Sequence, residues 1–241
     1  MCVIFLAYQQ HSEFPLILLA NRDEFYERPT ARAHFWEDVP EIFAGRDLVF
    51  GGTWLGITKS GRFAAVTNYR DPFAPKGEVS RGDLVGNFLK TDDSVKKYLT
   101  KIKNKATDYS GFNLIVGEMN GQNNEIGYYS NREDRIRILE KGIYGLSNQL
   151  LDTPWPKVKK GKDELAKLIE TDEIKKDKLI EILSDKTLAD DQDLPFTGIG
   201  YEREKLISAI FIETPMYGTR SSSFVLSDKN FNITLDERSY R

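Results

Sequence analysis

The chain has 241 residues, 40% of them hydrophobic and 29% charged, which is long enough for a buried core and typical of a soluble globular protein. Its net charge of -3 gives no reason to expect nucleic acid or an anionic membrane as a partner. A single cysteine excludes an internal disulfide and a cysteine-rich zinc site, and two histidines argue against a histidine metal site. We therefore expect neither a bound metal nor another cofactor.

The first half of the chain is predicted to consist mainly of strands. Residues 2–9 and 15–21 are apolar runs separated by a polar turn, which predicts a hairpin. Residues 53–58 and 62–68 form a second pair of this kind, joined by a Lys-Ser-Gly turn. The segment between the two pairs, residues 25–50, contains two prolines and a glycine, and we expect it to be an irregular functional loop.

The second half alternates between blocks of helices and blocks of strands. Helices are predicted from Ser80 to about residue 90, from residue 92 or 93 to about 105, and twice within residues 157–185, whose lysines suggest a solvated helix face. Residues 185–200 are predicted to be a loop. Strands are predicted at residues 112–119, 125–130, 135–139, 143–146, 209–213, 222–226 and 231–235. Such segregated blocks favour an α+β fold, with two antiparallel sheets packed between helix layers.

No targeting or membrane-spanning segment is evident in the sequence. The apolar start lacks a basic lead-in and soon meets two glutamines, so it does not resemble a signal peptide. No stretch is long enough to span a bilayer, and position 2 is not a myristoylated glycine. We expect a cytoplasmic protein of one domain over residues 1–241 that binds a small-molecule substrate or ligand. The sequence leaves its oligomeric state open.

The only cysteine, Cys2, directly follows the initiator methionine. Once Met1 is removed, its sulfur can attack a substrate while its own α-amine takes the proton. The two groups titrate near pH ~8.5 and ~8, close to neutral pH. Alternatively, Cys2 is a small apolar residue at the start of a buried strand.

A polar cluster, Asn-Arg-Asp-Glu at residues 21–24, directly follows the second apolar strand. If the first two strands pair as a hairpin, Asp23 approaches Cys2 and its carboxylate can hold the α-ammonium, while Arg22 favours the thiolate. The alternative is a solvated turn in which Arg22 pairs with Glu24. The sequence leaves both interpretations open.

Further polar residues stand at the ends or starts of other strands. Asn68 and Asn148 each end a strand, where a side-chain amide could stabilise an oxyanion or merely begin a turn. Trp54, among the glycines of residues 51–56, either packs in the core or lines a pocket. Arg220 could bind a carboxylate or phosphate, or pair with a structural acid.

The two histidines are predicted to lie on the surface. His11 falls in the first hairpin turn, at the end opposite Cys2, and His34 falls in the long loop. A Cys–His dyad requires hydrogen-bond reach between its members, so neither is an expected partner of Cys2.

Together these blocks resemble the NRDE family, also called the transport and Golgi organisation protein two family. They occur in chain order and extend over essentially the whole sequence. The blocks are Cys2, NRDEFY at 21–26 with Arg28-Pro29, GGTWLG at 51–56, TNY at 67–69, SRG at 80–82, GFNL at 111–114, YGLSN at 144–148, TPW at 153–155 and YGTR at 217–220.

The resemblance implies a four-layer αββα sandwich of the N-terminal nucleophile hydrolase type. The family is similar in organisation to choloylglycine hydrolases and penicillin V acylases, which cleave amide bonds with an N-terminal cysteine. Carried over, Cys2 is the nucleophile and Asp23 orients its α-amine. Asn68 and Asn148 match oxyanion-stabilising positions, and Arg220 resembles a late electrostatic arginine.

One position departs from that hydrolase group. The group usually carries an arginine three residues before the aspartate, and here that residue is Ala20. Arg22 is adjacent to Asp23, but neighbouring side chains on a strand point to opposite faces, so Arg22 is not expected to replace it directly. We expect Asn21, Arg22 and Trp54 to contact the substrate.

The leading hypothesis is an N-terminal cysteine hydrolase or acyltransferase that acts on a non-peptide amide or a thioester. The alternative is a non-catalytic carrier that holds a hydrophobic small molecule such as haem in the same pocket. The resemblance motivates this alternative, because the family is associated with secretory-pathway organisation, mitochondrial metabolism and intracellular haem trafficking. A purely structural cysteine is a third possibility.

Overall fold

The computed structural model describes residues 2–75 and 77–240, and within these ranges it contains twelve β-strands and five α-helices. The strands are β1 (Cys2–Tyr8), β2 (Leu16–Phe25), β3 (Thr30–Phe35), β4 (Ile42–Asp47), β5 (Leu55–Thr58), β6 (Arg62–Asn68), β7 (Phe112–Met119), β8 (Asn124–Ser130), β9 (Arg135–Ile138), β10 (Gly142–Leu146), β11 (Tyr217–Ser227) and β12 (Ile233–Ser239). The helices are α1 (Gly82–Lys90), α2 (Val95–Lys103), α3 (Pro156–Glu170), α4 (Lys176–Leu183) and α5 (Tyr201–Leu206), with short 3-10 turns at Ala106–Asp108 and Asp191–Asp193.

The strands form two antiparallel sheets. A seven-stranded sheet follows chain order from β3 to β9, and a five-stranded sheet has the order β10-β1-β2-β11-β12. The first strand therefore lies between β10 and β2 rather than at an edge. As a result, Cys2 begins a strand that is hydrogen-bonded to a neighbour on each side.

The two sheets pack face to face, and a helix pair covers each outer face. Even-numbered residues of the first strands, such as Leu6 and Leu18, pack against residues of the other sheet such as Phe63. Odd-numbered residues such as Phe5 and Leu19 pack against α3 and α4. Helices α1 and α2 cover the seven-stranded sheet. The α+β fold and its four-layer αββα order are therefore confirmed.

The prediction of an irregular loop over residues 25–50 is wrong, because this segment contains β3 and β4. Strand β4 pairs with β5, and β3 pairs with β4 at the sheet edge. A register shift between Ala31 and His34 interrupts the β3–β4 pairing, and of the six β3 residues three are partly buried and three are exposed. An irregular edge strand lacks the clean apolar alternation on which the prediction relied.

The strand predicted at residues 209–213 is also absent. The backbone N–H of Phe211 donates to Asp185 O, and that of Ile212 donates to Thr219 Oγ1. The carbonyl of Ile210 accepts a hydrogen bond from the Asn21 side chain. Because buried backbone groups need partners, these contacts replace a strand ladder, and the segment forms an irregular strap across the helix-facing side of the sheet.

Other differences concern boundaries, one missed helix and one histidine. Strand β11 begins at Tyr217, five residues earlier than predicted, and the short helix α5 was not predicted. The His11 side chain is only 7% exposed and contacts Asp172 at 2.7 Å, so its predicted surface position is wrong. His34 is exposed as predicted. None of the described helices has the length and apolar character needed to cross a membrane.

Two helical glycines give a matched stability test of the packing between layers. A methyl group at Gly161 of α3 would overlap the buried Phe5 ring, whereas one at Gly86 of α1 meets Trp36 at 3.8 Å. We expect Gly161→Ala to lower the free energy of unfolding by about 1–3 kcal/mol through overpacking. We expect Gly86→Ala to raise it by about 0.5–1 kcal/mol, because alanine favours a helix. Urea titration measures both, and equal effects would contradict the layer packing.

Candidate active site

A cleft of about 1010 Å³ opens at the end of the sandwich where β1 begins. Six of the eight predicted site residues line it, and Asn21 and Asn148 do not. The six are Cys2, Arg22, Asp23, Trp54, Asn68 and Arg220. The structure therefore brings together residues that lie on, or directly next to, five different strands.

Strand pairing places Arg22 directly beside the thiol. In the antiparallel β1–β2 ladder, Cys2 is opposite Arg22 and Ile4 is opposite Ala20. Opposed residues share one face, so the Arg22 side chain lies on the Cys2 side while Asp23 occupies the other face. Arg22 is only 8% exposed, and its Nη1 donates to Thr30 Oγ1 at 3.2 Å. A guanidinium thus reaches the Cys2 face even though position 20 is alanine.

Burial controls the ionisation of the Cys2 thiol. It raises the pKa of this thiol, while a backbone hydrogen bond from Asp23 and the charge of Arg22 act in the opposite direction. A thiol with a raised pKa is mainly protonated at neutral pH. Attack by sulfur therefore requires a nearby base that can accept its proton.

Asp23 is buried on the face of β2 opposite to Arg22, at the edge of the cleft. It is 2% exposed, and its Oδ1 accepts a hydrogen bond from the Thr219 hydroxyl at 2.8 Å. Its backbone carbonyl accepts one from the Tyr217 hydroxyl at 3.0 Å. Burial raises the pKa of the Asp23 carboxyl, and the positive charge of Lys157 opposes that rise.

Arg81 is a further arginine that lines the cleft, and the sequence assigned no role to it. It immediately precedes α1, lines the cleft, and donates from Nη1 to Gly111 O at 3.2 Å. Burial lowers its pKa, and the neighbouring Cys2 sulfur acts in the opposite direction. Among the described residues, neither Arg22 nor Arg81 forms an ion pair with a carboxylate. A Ser-Arg-Gly sequence before a helix was the only available signal.

The structure brings Asn68 and Asn148 together but gives them different surroundings. Asn148 is fully buried, and its Nδ2 donates to the Asn68 carbonyl at 2.9 Å. Asn68 lines the cleft, and within the described part of the chain its side-chain amide has no hydrogen-bond partner. Asn68 is therefore the amide that is available to a ligand, and Asn148 holds the strand end that carries it.

A chain of buried hydrogen bonds links the two sheets behind the nucleophile. The Tyr128 hydroxyl donates to Asn113 Oδ1 at 2.9 Å, and Asn113 Nδ2 donates to the Thr67 hydroxyl at 3.1 Å. Thr67 donates to Ser147 O at 2.7 Å, and Ser147 Oγ donates to Cys2 O at 3.1 Å. These contacts fix the Cys2 backbone relative to the seven-stranded sheet. Polar residues inside apolar strands were the signal for this chain.

Asn21 does not reach the cleft. Its Nδ2 donates to Leu183 O at 2.8 Å and to Ile210 O at 2.9 Å, and its Oδ1 accepts from Ser222 at 2.6 Å. Like the other odd-numbered residues of β2, it faces the helix layer, so its position does not support the substrate contact expected from the sequence. Its contacts tie β2 to α4 and the strap.

Trp54 and Arg220 complete the predicted set. Trp54 is half-buried, lines the cleft and packs against the cores on both sides of its sheet. Arg220 Nη1 donates to the carbonyls of Phe25, at 3.2 Å, and Arg28. Within the described residues, no three His, Cys, Asp or Glu side chains form a cluster able to hold a metal ion.

Comparison with known proteins identifies relatives over the whole chain. The family model for Transport and Golgi organisation 2 matches residues 1–241. Transport and Golgi organization protein 2 homologs from Homo sapiens and Bos taurus are 39% and 37% identical, each over 99% of this chain and 93% of the relative. The Drosophila melanogaster protein of that name is 29% identical over 95% of this chain and 88% of its own length.

Solved structures with a similar course of the chain are more distant in sequence. An N-acylethanolamine-hydrolyzing acid amidase ortholog from Caenorhabditis elegans has a TM-score of 0.45 and 9% identity, covering 93% of this chain and 92% of that one. The mutant C2A conjugated bile acid hydrolase from Clostridium perfringens has a TM-score of 0.46 and 9% identity, covering 100% and 97%.

The position of Cys2 predicts how its alkylation depends on pH. We expect the rate with iodoacetamide to rise with a midpoint above the ~8.5 of a free thiol, because burial disfavours the thiolate. Arg81→Gln should move the midpoint further upward, since it removes a positive charge near the sulfur. Intact mass reports the reaction at a single site because the chain has one cysteine.

The matched control is Arg135→Gln, because Arg135 is exposed on β9 and does not line the cleft. It should leave the midpoint unchanged. An Arg81 variant that behaves like this control would show that Arg81 does not influence the thiol.

Proposed function

The chain belongs to the transport and Golgi organisation 2 family, and from this premise we propose that it is an N-terminal cysteine hydrolase or acyltransferase acting on a non-peptide amide or a thioester. One observation supports this proposal above all. The sole cysteine begins an interior strand at the cleft, with Arg22 opposite it, Asp23 behind it and the Asn68 amide in the same cleft.

In the proposed reaction, removal of Met1 frees the α-amine of Cys2, which takes the proton from the thiol. The sulfur then attacks the substrate carbonyl carbon, and the electron pair of the C=O bond moves to oxygen. Collapse of this intermediate breaks the bond to the leaving group, which receives the proton from the α-ammonium. Water, activated by the same amine, then cleaves the acyl-thioester; an acyl acceptor in place of water gives transfer.

Each proposed role follows from a position described above. The Asn68 side chain donates to the oxyanion, and Asn148 keeps Asn68 in place. Asp23 holds and orients the α-amine from the helix-facing side of the strand. Arg22 favours the thiolate, because a nearby positive charge stabilises it. Trp54 provides an apolar wall, and the cleft is large enough for a small-molecule substrate.

A second candidate function is a non-catalytic carrier of a small molecule such as haem. The observation that favours it is the raised pKa of the buried Cys2 thiol, which disfavours the nucleophilic thiolate. No histidine or methionine is among the described residues that line the cleft, which leaves the Cys2 sulfur and the Tyr69 hydroxyl as candidate iron ligands. Haem titration of the wild type and of Cys2→Ala tests this candidate, and the absence of saturable binding would remove it.

The hydrolase proposal predicts a covalent acyl intermediate on Cys2. Protein produced in cells should lack Met1, and a panel of N-acyl amides and acyl thioesters should include a substrate that leaves an acyl adduct on intact protein. Cys2→Ala should abolish turnover. Asn68→Ala should lower kcat by about 10²–10³ because it removes an oxyanion donor.

Asn123→Ala is the control for Asn68, because Asn123 is an exposed asparagine outside the cleft. It should retain wild-type kcat. Full turnover by Cys2→Ala on the same substrate would contradict the proposed function.

A further inference from the structure

A buried lysine lies behind the nucleophile, and the proposed reaction assigns it no role. Lys157 is 4% exposed and is the only lysine among the buried side chains that the structure describes. Its Nζ donates to Ile207 O, directly after α5, at 2.9 Å and to Ala209 O on the strap at 3.5 Å. Within residues 2–75 and 77–240 it forms no ion pair. Burial of an ammonium group is costly when no opposite charge is close to it.

Helix stability does not explain a lysine at this position. Lys157 is in the first turn of α3, and that first turn contains no acidic residue. The N-terminus of a helix carries partial positive charge, so a cation there is unfavourable. Lys157 is therefore buried at the end of the helix where the helix dipole disfavours a positive charge. This position points to a stabilising charge outside the helix.

The acidic residue that acts most strongly on Lys157 is Asp23, and both groups border the strap. Lys157 Nζ donates to Ala209 O, and Thr219, which donates to Asp23 Oδ1, accepts from Ile212 N–H. Helix α3 packs against β1 and β10, and Asp23 faces the same layer from β2. The two charges attract each other, and Lys157 also interacts with the Cys2 thiol. Because both side chains are shielded from water, solvent and salt screen this attraction only weakly.

The charge state of Lys157 depends on several groups around it. Burial lowers the pKa of Lys157 to about 8, while Asp23 acts in the opposite direction, so the group remains mainly charged at neutral pH. The other charged or titratable groups that act on Lys157, Asp23 or the Cys2 thiol are Arg22, Arg70, Arg81, Glu204 and Tyr217.

If Asp23 interacted with the α-amine of processed Cys2 alone, its carboxylate would hinder this amine from acting as the proposed base. If Asp23 had no other cation, it would stabilise the α-ammonium of processed Cys2 and raise the pKa of that amine. An amine that stays protonated cannot accept the proton of the thiol. A second cation on Asp23 removes this obstacle, because it neutralises the carboxylate and repels the ammonium form.

We propose that Lys157 is a positioning residue that shares Asp23 with the α-amine of processed Cys2 and thereby keeps this amine in its free-base form at neutral pH. This inference rests on the proposed function, since it needs Cys2 as the first residue. It goes beyond that function by naming a residue outside the cleft that sets the protonation of the base.

The sole cysteine makes a direct test possible. A tag cleaved immediately before Cys2 gives the full chain with a free α-amine, and ¹³C,¹⁵N-labelled cysteine gives signals from one residue only. We expect the wild-type α-amine to titrate at or below about 8, the value of an ordinary amino terminus. In Lys157→Met its pKa should rise by about one pH unit, and in Lys157→Arg it should stay near wild type.

Lys159→Met is the matched control, because Lys159 is an exposed residue on the same helix and should leave the titration unchanged. A folded Lys157→Met protein with a wild-type amine pKa would overturn the inference. A wild-type amine pKa well above 8 would also overturn it, and this second measurement needs no variant. Met1 retention in cells, or failure to find any substrate, would count against the proposed function alone, because the titration uses neither.

Discussion

The register of β1 against β2 is the constraint on which the site depends. Side chains alternate along a strand, so a slip of β1 by one residue would move Cys2 to the helix face, and a slip of β2 by one residue would bring Asp23 to the face between the sheets. Apolar residues on both faces of the strands fix this register. Leu6 and Leu18 pack between the sheets, while Phe5 and Leu19 pack under α3 and α4. Burial of apolar side chains on both faces thus places the reactive groups at the strand ends.

Polar residues at those ends are buried without being isolated. Asn21, Thr67 and Ser147 are nearly or completely inaccessible, and each has hydrogen-bond partners within the fold. A buried polar network stabilises a fold only when its members are satisfied, and it then selects one arrangement of its members. These buried polar residues therefore belong to the core of the sandwich, and they also support Cys2 at the end of the sandwich.

The sequence predicted the parts of the fold and the site that depend on local patterns. The first hairpin and the polar strand ends follow from alternation and turn residues, and the four-layer order was what the family resemblance implied. The irregular edge strand β3 and the strap at residues 209–213 do not, because their backbone partners are distant in sequence. Arg81 and Lys157 were missed for the same reason, since only tertiary packing places a loop arginine and a helix lysine near Cys2. The single domain, the cytoplasmic location and the chemical roles of the site residues stay predictions.

The alternation of side chains along β2 also places two charged residues that act on Cys2 on opposite faces of the strand. Arg22 lies on the cleft side, where positive charge favours a thiolate, and Asp23 lies one position later on the helix side. There the positive charge of Lys157 acts on Asp23, and the balance between their charges would govern the α-amine. The sulfur of Cys2 lies on one face of the strand and its backbone nitrogen at the strand end, so different residues lie nearest to each of them. Arg22 occupies the same face as Ala20, two residues nearer the opening of the cleft, so a positive charge lies on the Cys2 face although position 20 is alanine.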